Sequence, residues 1–290
     1  MDAKSLMKQI RKIELKTKHL SKEAFSGEYH SAFKGKGMAF SEVKSYQYGD
    51  DVRNIDWNVT ARFDEPYVKI FEEERELNVM LLLDVSKSME ITSGEKSKKQ
   101  LLIEIVATIG FSAAQNNDKV GAMFISNKVE LFIPPKKGRS HILMIIKKLI
   151  DHSSESDSTD ISEGLRYFRN ILKKRSIAFL ISDFNDENDF IDSSKIVARN
   201  HDLIALKLFD PIERELPKLG FIKMYNAESG KFQWVNSYSS SIRRKYQSTF
   251  DINQTEFLER IRRIGAEGEV ISTSTDFVKL LIKLFANRKR

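Results

Sequence analysis

An aspartate and two serines at alternate positions, Asp84, Ser86 and Ser88, close the stretch NVMLLLDVSKSM at 78–89. Carboxylate and hydroxyl oxygens are hard donors, and three of them on one tight loop suit a hard cation such as Mg²⁺. The residues just before them, Val79 to Leu83, form a continuous apolar run. Such a run reads as a strand buried on both faces of a parallel sheet. The loop at the carboxyl end of such a strand is where open α/β sheets bind ligands. Two more oxygen side chains fall at equivalent places. Thr159 ends the polar loop HSSESDST, just before a helix, and Asp183 follows the apolar run IAFLIS.

Each of the five has a simpler use. Thr159 reads equally as a helix cap before Asp160, and Asp183 as a cap for the helix that follows it. Ser86 and Ser88 read equally as loop hydroxyls bonded to backbone. Their joint placement at one edge of one sheet favours the metal site.

The elements that must position them follow from periodicity. From Asn78 onward strand and helix alternate, which implies a mostly parallel, doubly wound sheet with helices on both faces. Leu101, Leu102, Ile105, Val106 and Ile109 mark an amphipathic helix over 96–116. A strand at 119–126 pairs with a short one at 129–133. Ile142, Leu143, Ile145, Ile146 and Leu149 mark the next helix, and Ile161, Leu165, Phe168 and Leu172 another from Asp160. After the strand at 177–182 come a helix near 187–199 and a strand at 203–209. Within 211–237 two strands flank the turn AESG as a hairpin insertion. A helix over 238–265, a strand at 269–272 and a helix at 276–285 complete a domain spanning 78–290.

Residues 1–77 form a separate section. Leu6, Ile10, Ile13 and Leu20 among many lysines predict a basic amphipathic helix over 4–24. From 25 to 77 glycines punctuate short segments rich in Tyr, Phe, Val and Trp, which predicts a small β-rich module whose last strand, 67–71, feeds towards the central strand. GKGMAF neither follows a strand nor opens a helix, so it reads as a turn rather than a phosphate loop. Asp50, Asp51, Arg53, Asp56 and Arg62 predict an ionic network that orders the module, with a partner-docking surface as the alternative.

Composition narrows the classes. The absence of cysteine removes disulfides, zinc thiolates and thiol catalysis. No apolar run is long enough for a membrane-spanning helix, and the first residues lack a secretory core, so a cytoplasmic protein is expected. The formal charge of +7 favours acidic partners without identifying one. Two basic groups, Lys8 to Lys18 and Arg260 to Arg263, lack the interleaved aromatics of a single-strand binder, so nucleic acid is not the expected partner. His19, His30, His141, His152 and His201 show no paired metal-ligand spacing.

DVSKS resembles the D-x-S-x-S element of von Willebrand factor A domains, with Thr159 and Asp183 matching that fold's later threonine and aspartate. The resemblance implies a metal-ion-dependent adhesion site. Ser86, Ser88 and Thr159 would ligate Mg²⁺ directly, and Asp84 and Asp183 would act through water. Neutral hydroxyls leave the ion's charge only partly offset, so an open position favours a carboxylate from a partner protein. The longer stretch GEYHSAFKGKGMAFSEVKSYQYGDDVRNIDWNVTARFDEPYVKIFEEERE at 27–76 is similar to the bacterial domain of unknown function 58 family. Members are typically encoded beside MoxR-type AAA+ ATPases, which implies a non-enzymatic adaptor that helps such an ATPase assemble or mature client proteins. The alternative is a metal-dependent hydrolase or phosphotransferase with Asp84 as nucleophile. Phosphatases of that kind usually carry a second aspartate where this chain has Ser86.

Overall fold

The computed structural model describes residues 39–287, apart from 64, 73–76, 91, 95, 154, 155, 157, 187 and 227–230. The helix expected over 4–24 lies outside the described residues, as does most of GKGMAF.

The organising element is a six-stranded sheet built from β3 (Asn78–Asp84), β4 (Lys119–Ile125), β5 (Val129–Lys136), β6 (Ile177–Ser182), β7 (Asp202–Phe209) and β10 (Glu267–Ser272). Its order is β10-β7-β6-β3-β4-β5. All neighbours are parallel except β5, which runs antiparallel to β4 at one edge. Chain order runs outward from β3 in one direction and from β6 in the other. The two central strands therefore flank the point where the winding reverses, the place at whose carboxyl edge open α/β sheets bind ligands.

Every residue of β3 is buried, as the unbroken apolar run requires. The pleat then divides the core in two. Val79, Leu81 and Leu83 face one cluster with α2 (Lys98–Gln115), α3 (Arg139–Asp151) and α8 (Phe277–Asn287). Met80 and Leu82 face the other with α4 (Ile161–Ile171), α5 (Ile191–Asn200) and α7 (Ser240–Arg263). This is the mixed α/β architecture the alternating pattern predicts.

Several elements differ from the sequence expectation. α2 is buried almost all round rather than along one stripe, because α3 lies over its outer side. A Cβ at Gly110 would stand 3.0 Å from the Ile142 side chain. β5 runs on through Pro134 and Pro135, which an edge strand tolerates because it need not donate outward. The strand expected at 67–71 forms one residue longer. β2 (Tyr67–Glu72) pairs antiparallel with β1 (Ala39–Ser45) in a separate two-stranded sheet. Between them lies an unforeseen helix, α1 (Trp57–Phe63), whose first amides at Asn58 and Val59 donate to the Asp56 carboxylate. The ionic network is also more local than expected. Asp51 pairs with Arg53 at 2.9 Å, and Asp50 accepts from Lys44 and the Gln47 amide. A one-turn helix, α6 (Pro211–Arg214), precedes the hairpin of β8 (Phe221–Asn226) and β9 (Lys231–Asn236), which forms as predicted.

Leu82, fully buried at the sheet's centre, sets the scale of this packing. Leu82→Ala is expected to remove about 3 kcal/mol of stability. Val52→Ala at an exposed site should change stability by under about 0.5 kcal/mol. Urea unfolding followed by circular dichroism measures both.

Candidate metal centre

Asp84 is the last residue of β3 and is only 2% exposed. Burying a carboxylate requires hydrogen bonds to replace its water. The Ser86 amide donates to Asp84 Oδ1 at 2.9 Å, folding the chain back over the strand end. Ser182 Oγ, at the end of neighbouring β6, donates to Oδ2 at 2.5 Å. Thr159 Oγ1 reaches Oδ1 at a longer 3.5 Å. A 3₁₀ turn, Lys87–Glu90, anchored by buried Met89, then returns Ser88 so that its Oγ lies 3.0 Å from Ser86 Oγ.

Thr159 is free for this role because it is not the helix cap. Asp160 caps α4 by accepting from the Glu163 amide at 2.8 Å, while its own amide donates to the Ser126 carbonyl at the end of β4. Asp183 follows β6 and is equally buried, but it is paired differently. Lys98 Nζ lies 2.7 Å from its Oδ2 and 2.6 Å from Glu213 Oε1 on α6. Lys98, in the first turn of α2, is 1% exposed. The next residue, Phe184, has φ +52, an uncommon conformation for a bulky side chain. Its amide donates to Ser182 Oγ at 2.8 Å, so one hydroxyl ties this turn to Asp84.

The electrostatics separate two strand-end carboxylates, Asp84 and Asp210. Burial, reinforced by the nearby charge of Asp183, pushes Asp84 up to about 6 despite the bonds from Ser182 and Ser86. Burial opposes the Lys98 charge too, but Asp183 and Glu213 outweigh it and hold its pKa above the ordinary lysine value. Burial also raises Glu213, with Lys98 opposing. Asp210, at the end of β7, shows the opposite outcome to Asp84. Burial would raise it, but hydrogen bonds from the Ser93 hydroxyl, the Ile212 and Ser93 amides and Thr273 hold it below the usual range. The protein thus favours the charged form of Asp210 and disfavours that of Asp84, although both carboxylates accept hydrogen bonds.

Asp84, Ser86, Ser88 and Thr159 form one connected oxygen cluster, and Asp183 acts on it through charge. The donors fit Mg²⁺. Adjacent ligands of an octahedral ion with bonds of 2.0–2.1 Å are about 2.9 Å apart, close to the Ser86–Ser88 separation. Among the described residues no group of three or more His, Cys, Asp or Glu is placed to hold a metal, so an ion at this cluster would be held largely by hydroxyls. Sequence reasoning missed Ser182, Lys98 and Glu213. A lysine opening a helix opposes the helix dipole, a faint signal for Lys98 in a lysine-rich run.

A family model described as "Protein of unknown function DUF58" matches residues 42–256. An uncharacterized protein of Mycobacterium tuberculosis is 26% identical over 292 residues, covering 100% of this chain and 92% of that protein. Among solved structures, an aerotolerance-related membrane protein from Bacteroides fragilis aligns with TM-score 0.49 and 14% identity over 73% of this chain and 99% of that one. The SpRpn10 VWA domain aligns with TM-score 0.40 and 11% identity over 72% of this chain and 94% of that one. No described helix is long and apolar enough to cross a membrane.

Two predictions follow the charges. In EDTA, the raised pKa of Asp84 means that the folded state holds a proton which the unfolded state has released between about pH 4 and 6. Stability should therefore fall as pH rises through that window, by up to about 3 kcal/mol. Asp84→Asn should flatten the dependence in pH-resolved urea titrations. Lys98→Met leaves the buried Asp183 and the half-buried Glu213 without their shared cation and is expected to destabilise by about 3 kcal/mol. Adding Asp183→Asn and Glu213→Gln should recover most of that loss in the same assay.

Proposed function

The chain belongs to the DUF58 family, and on that premise we propose that it is a metal-dependent protein-interaction module, an adaptor for a MoxR-type AAA+ ATPase and its client proteins. The observation that carries the reading is the unequal treatment of Asp84 and Asp210. Two buried carboxylates stand at the carboxyl ends of β3 and β7, on either side of β6, yet burial outweighs hydrogen bonding only at Asp84, beside which the hydroxyls of Ser86, Ser88 and Thr159 gather. A divalent cation supplies the charge that this cluster lacks.

Ser86, Ser88 and Thr159 would hold Mg²⁺, with Asp84 and Asp183 contributing charge around it. The bound ion would supply Lewis acidity towards a carboxylate oxygen. Asp84 orients the Ser86 amide and the Thr159 hydroxyl, and Ser182 locks Asp84 against β6. Lys98 offsets the charge of Asp183, which leaves the ion with little anionic balance from the protein. An acidic side chain from a partner completes that balance, so partner binding and metal binding reinforce each other. Both oxygens of Asp84 already accept hydrogen bonds, which argues against its use as a phosphatase-like nucleophile. The ATPase is the partner implied by the family resemblance, and a cytoplasmic location goes with it.

Calorimetric titration should give one Mg²⁺ or Mn²⁺ site per chain, weakened at least about tenfold in Ser86→Ala/Ser88→Ala. Capture from native lysate with Mg²⁺ should retain an AAA+ ATPase or client that EDTA and Asp84→Ala both release. Equal retention in all three conditions would place docking elsewhere on the molecule.

A further inference from the structure

Among the described side chains of the hairpin β8–β9, the largest apolar ones are exposed. Its register pairs Phe221 with Asn236, Ile222 with Val235 and Lys223 with Trp234. Directly paired residues share a face, so Phe221, Lys223 and Trp234 lie on one side and Ile222 and Val235 on the other. Ile222 and Val235 are half-buried, while Phe221 and Trp234 are each 70% exposed. Leu219, just before the hairpin, and Tyr238, just after it, are 67% and 64% exposed. The hairpin's base is clasped by Ser237, whose amide and hydroxyl both donate to the Gly220 carbonyl at 2.8 Å. Four large apolar side chains at the hairpin and its base are therefore held out in solvent, the signature of an interaction surface.

The charge around this surface selects the occupant. Residues 216–246 contain six Lys or Arg and one Glu. Lys218, Lys223, Arg244 and Lys245 are exposed. Arg243 sits beneath the hairpin exit, donating to the Ser237 and Tyr238 carbonyls at 2.9 and 2.7 Å. An open cavity of about 680 Å³ at the hairpin base is walled by Lys218, Arg243, Leu216 and Pro217, with Glu215 as its acidic member. Two copies meeting through this face would set cation against cation, which disfavours self-association. Tryptophan, tyrosine and phenylalanine beside lysine and arginine match the interfacial zone of a bilayer, where rings enter the headgroup boundary and cations meet anionic lipid phosphates.

We propose that the hairpin face formed by Leu219, Phe221, Trp234 and Tyr238 docks on membrane surfaces bearing anionic phospholipids. The rings and Leu219 enter the headgroup boundary, Lys223, Arg244 and Lys245 meet the anionic surface, and the cavity beside Lys218 and Arg243 accepts a phosphodiester headgroup. The surface is made by the hairpin and α7, so it acts whether or not the metal centre is filled.

The test uses the full chain carrying Trp57→Phe, which leaves Trp234 as its one tryptophan, and phosphatidylcholine vesicles with or without phosphatidylglycerol. Sedimentation should show binding to the phosphatidylglycerol vesicles, weakening as salt rises, with a blue shift of Trp234 emission. Lys223→Glu/Arg244→Glu/Lys245→Glu should lower the partition coefficient by roughly tenfold or more. In the otherwise native chain, Phe221→Ser/Trp234→Ser should lose binding with an unchanged circular dichroism spectrum. Absence of binding, equal binding to pure phosphatidylcholine, or full binding by Phe221→Ser/Trp234→Ser would overturn the proposal. A dimer that this double variant dissociates would assign the face to a second copy. Tighter, salt-sensitive binding of oligothymidylate at the same residues would assign it to nucleic acid.

Discussion

Two carboxylates, Asp84 and Asp183, lie buried at the ends of adjacent parallel strands, and a folded protein cannot leave either as a bare charge. The two are stabilised by different means. Asp183 meets a lysine ammonium that is itself buried and shared with Glu213. Asp84 meets only neutral donors, which solvate its charge without cancelling it. The elements around the two strand ends serve these two requirements. α2 begins where Lys98 can reach Asp183, α6 places Glu213 on the same ammonium, and the loop before α4 delivers Thr159 while Asp160 takes over the capping.

The winding of the sheet explains why this pair sits at one point. β3 and β6 are neighbours in space but separated in the chain, and helices leave from opposite faces on either side of them. In open α/β sheets, loops following two such strands diverge and leave the strand ends open. Ser182 spans the gap, joining Asp84 of one strand to the Phe184 turn of the other. A metal ion at this place would join β3, the α4 loop and, through charge, β6. One local change of ligation can therefore be felt by several elements.

Much of this architecture was legible in the sequence because its signals are local. β3 and β6 show as unbroken apolar runs because both sheet faces are covered, and the two short strands on either side of AESG show because they are close in the chain and pair with each other. Asp84, Ser86 and Ser88 were legible for the same reason, being three oxygens on one loop. What the sequence hid depends on pairing across distance. Lys98 lies 85 positions from Asp183, and nothing in KSKK distinguishes the lysine that turns inward from its neighbours. Ser182 looks like an ordinary strand residue until β6 is placed beside β3. The helix α1 escaped because WNVTARF carries aromatic and β-branched residues, and the Asp56 cap outweighs that propensity. The α6 turn had a readable cue in Asp210 followed by Pro211, a cap and a first helical residue.

The central claim is that hydroxyl oxygens around Asp84 hold a divalent cation. A crystal grown with Mn²⁺ and recorded at a wavelength where manganese scatters anomalously tests it directly. The account predicts one strong anomalous peak within about 2.1–2.3 Å of Ser86 Oγ and Ser88 Oγ, with Thr159 Oγ1 alongside. A site without such a peak at saturating Mn²⁺, or a peak bound directly between Asp183 and Glu213 with Lys98 displaced, would contradict it.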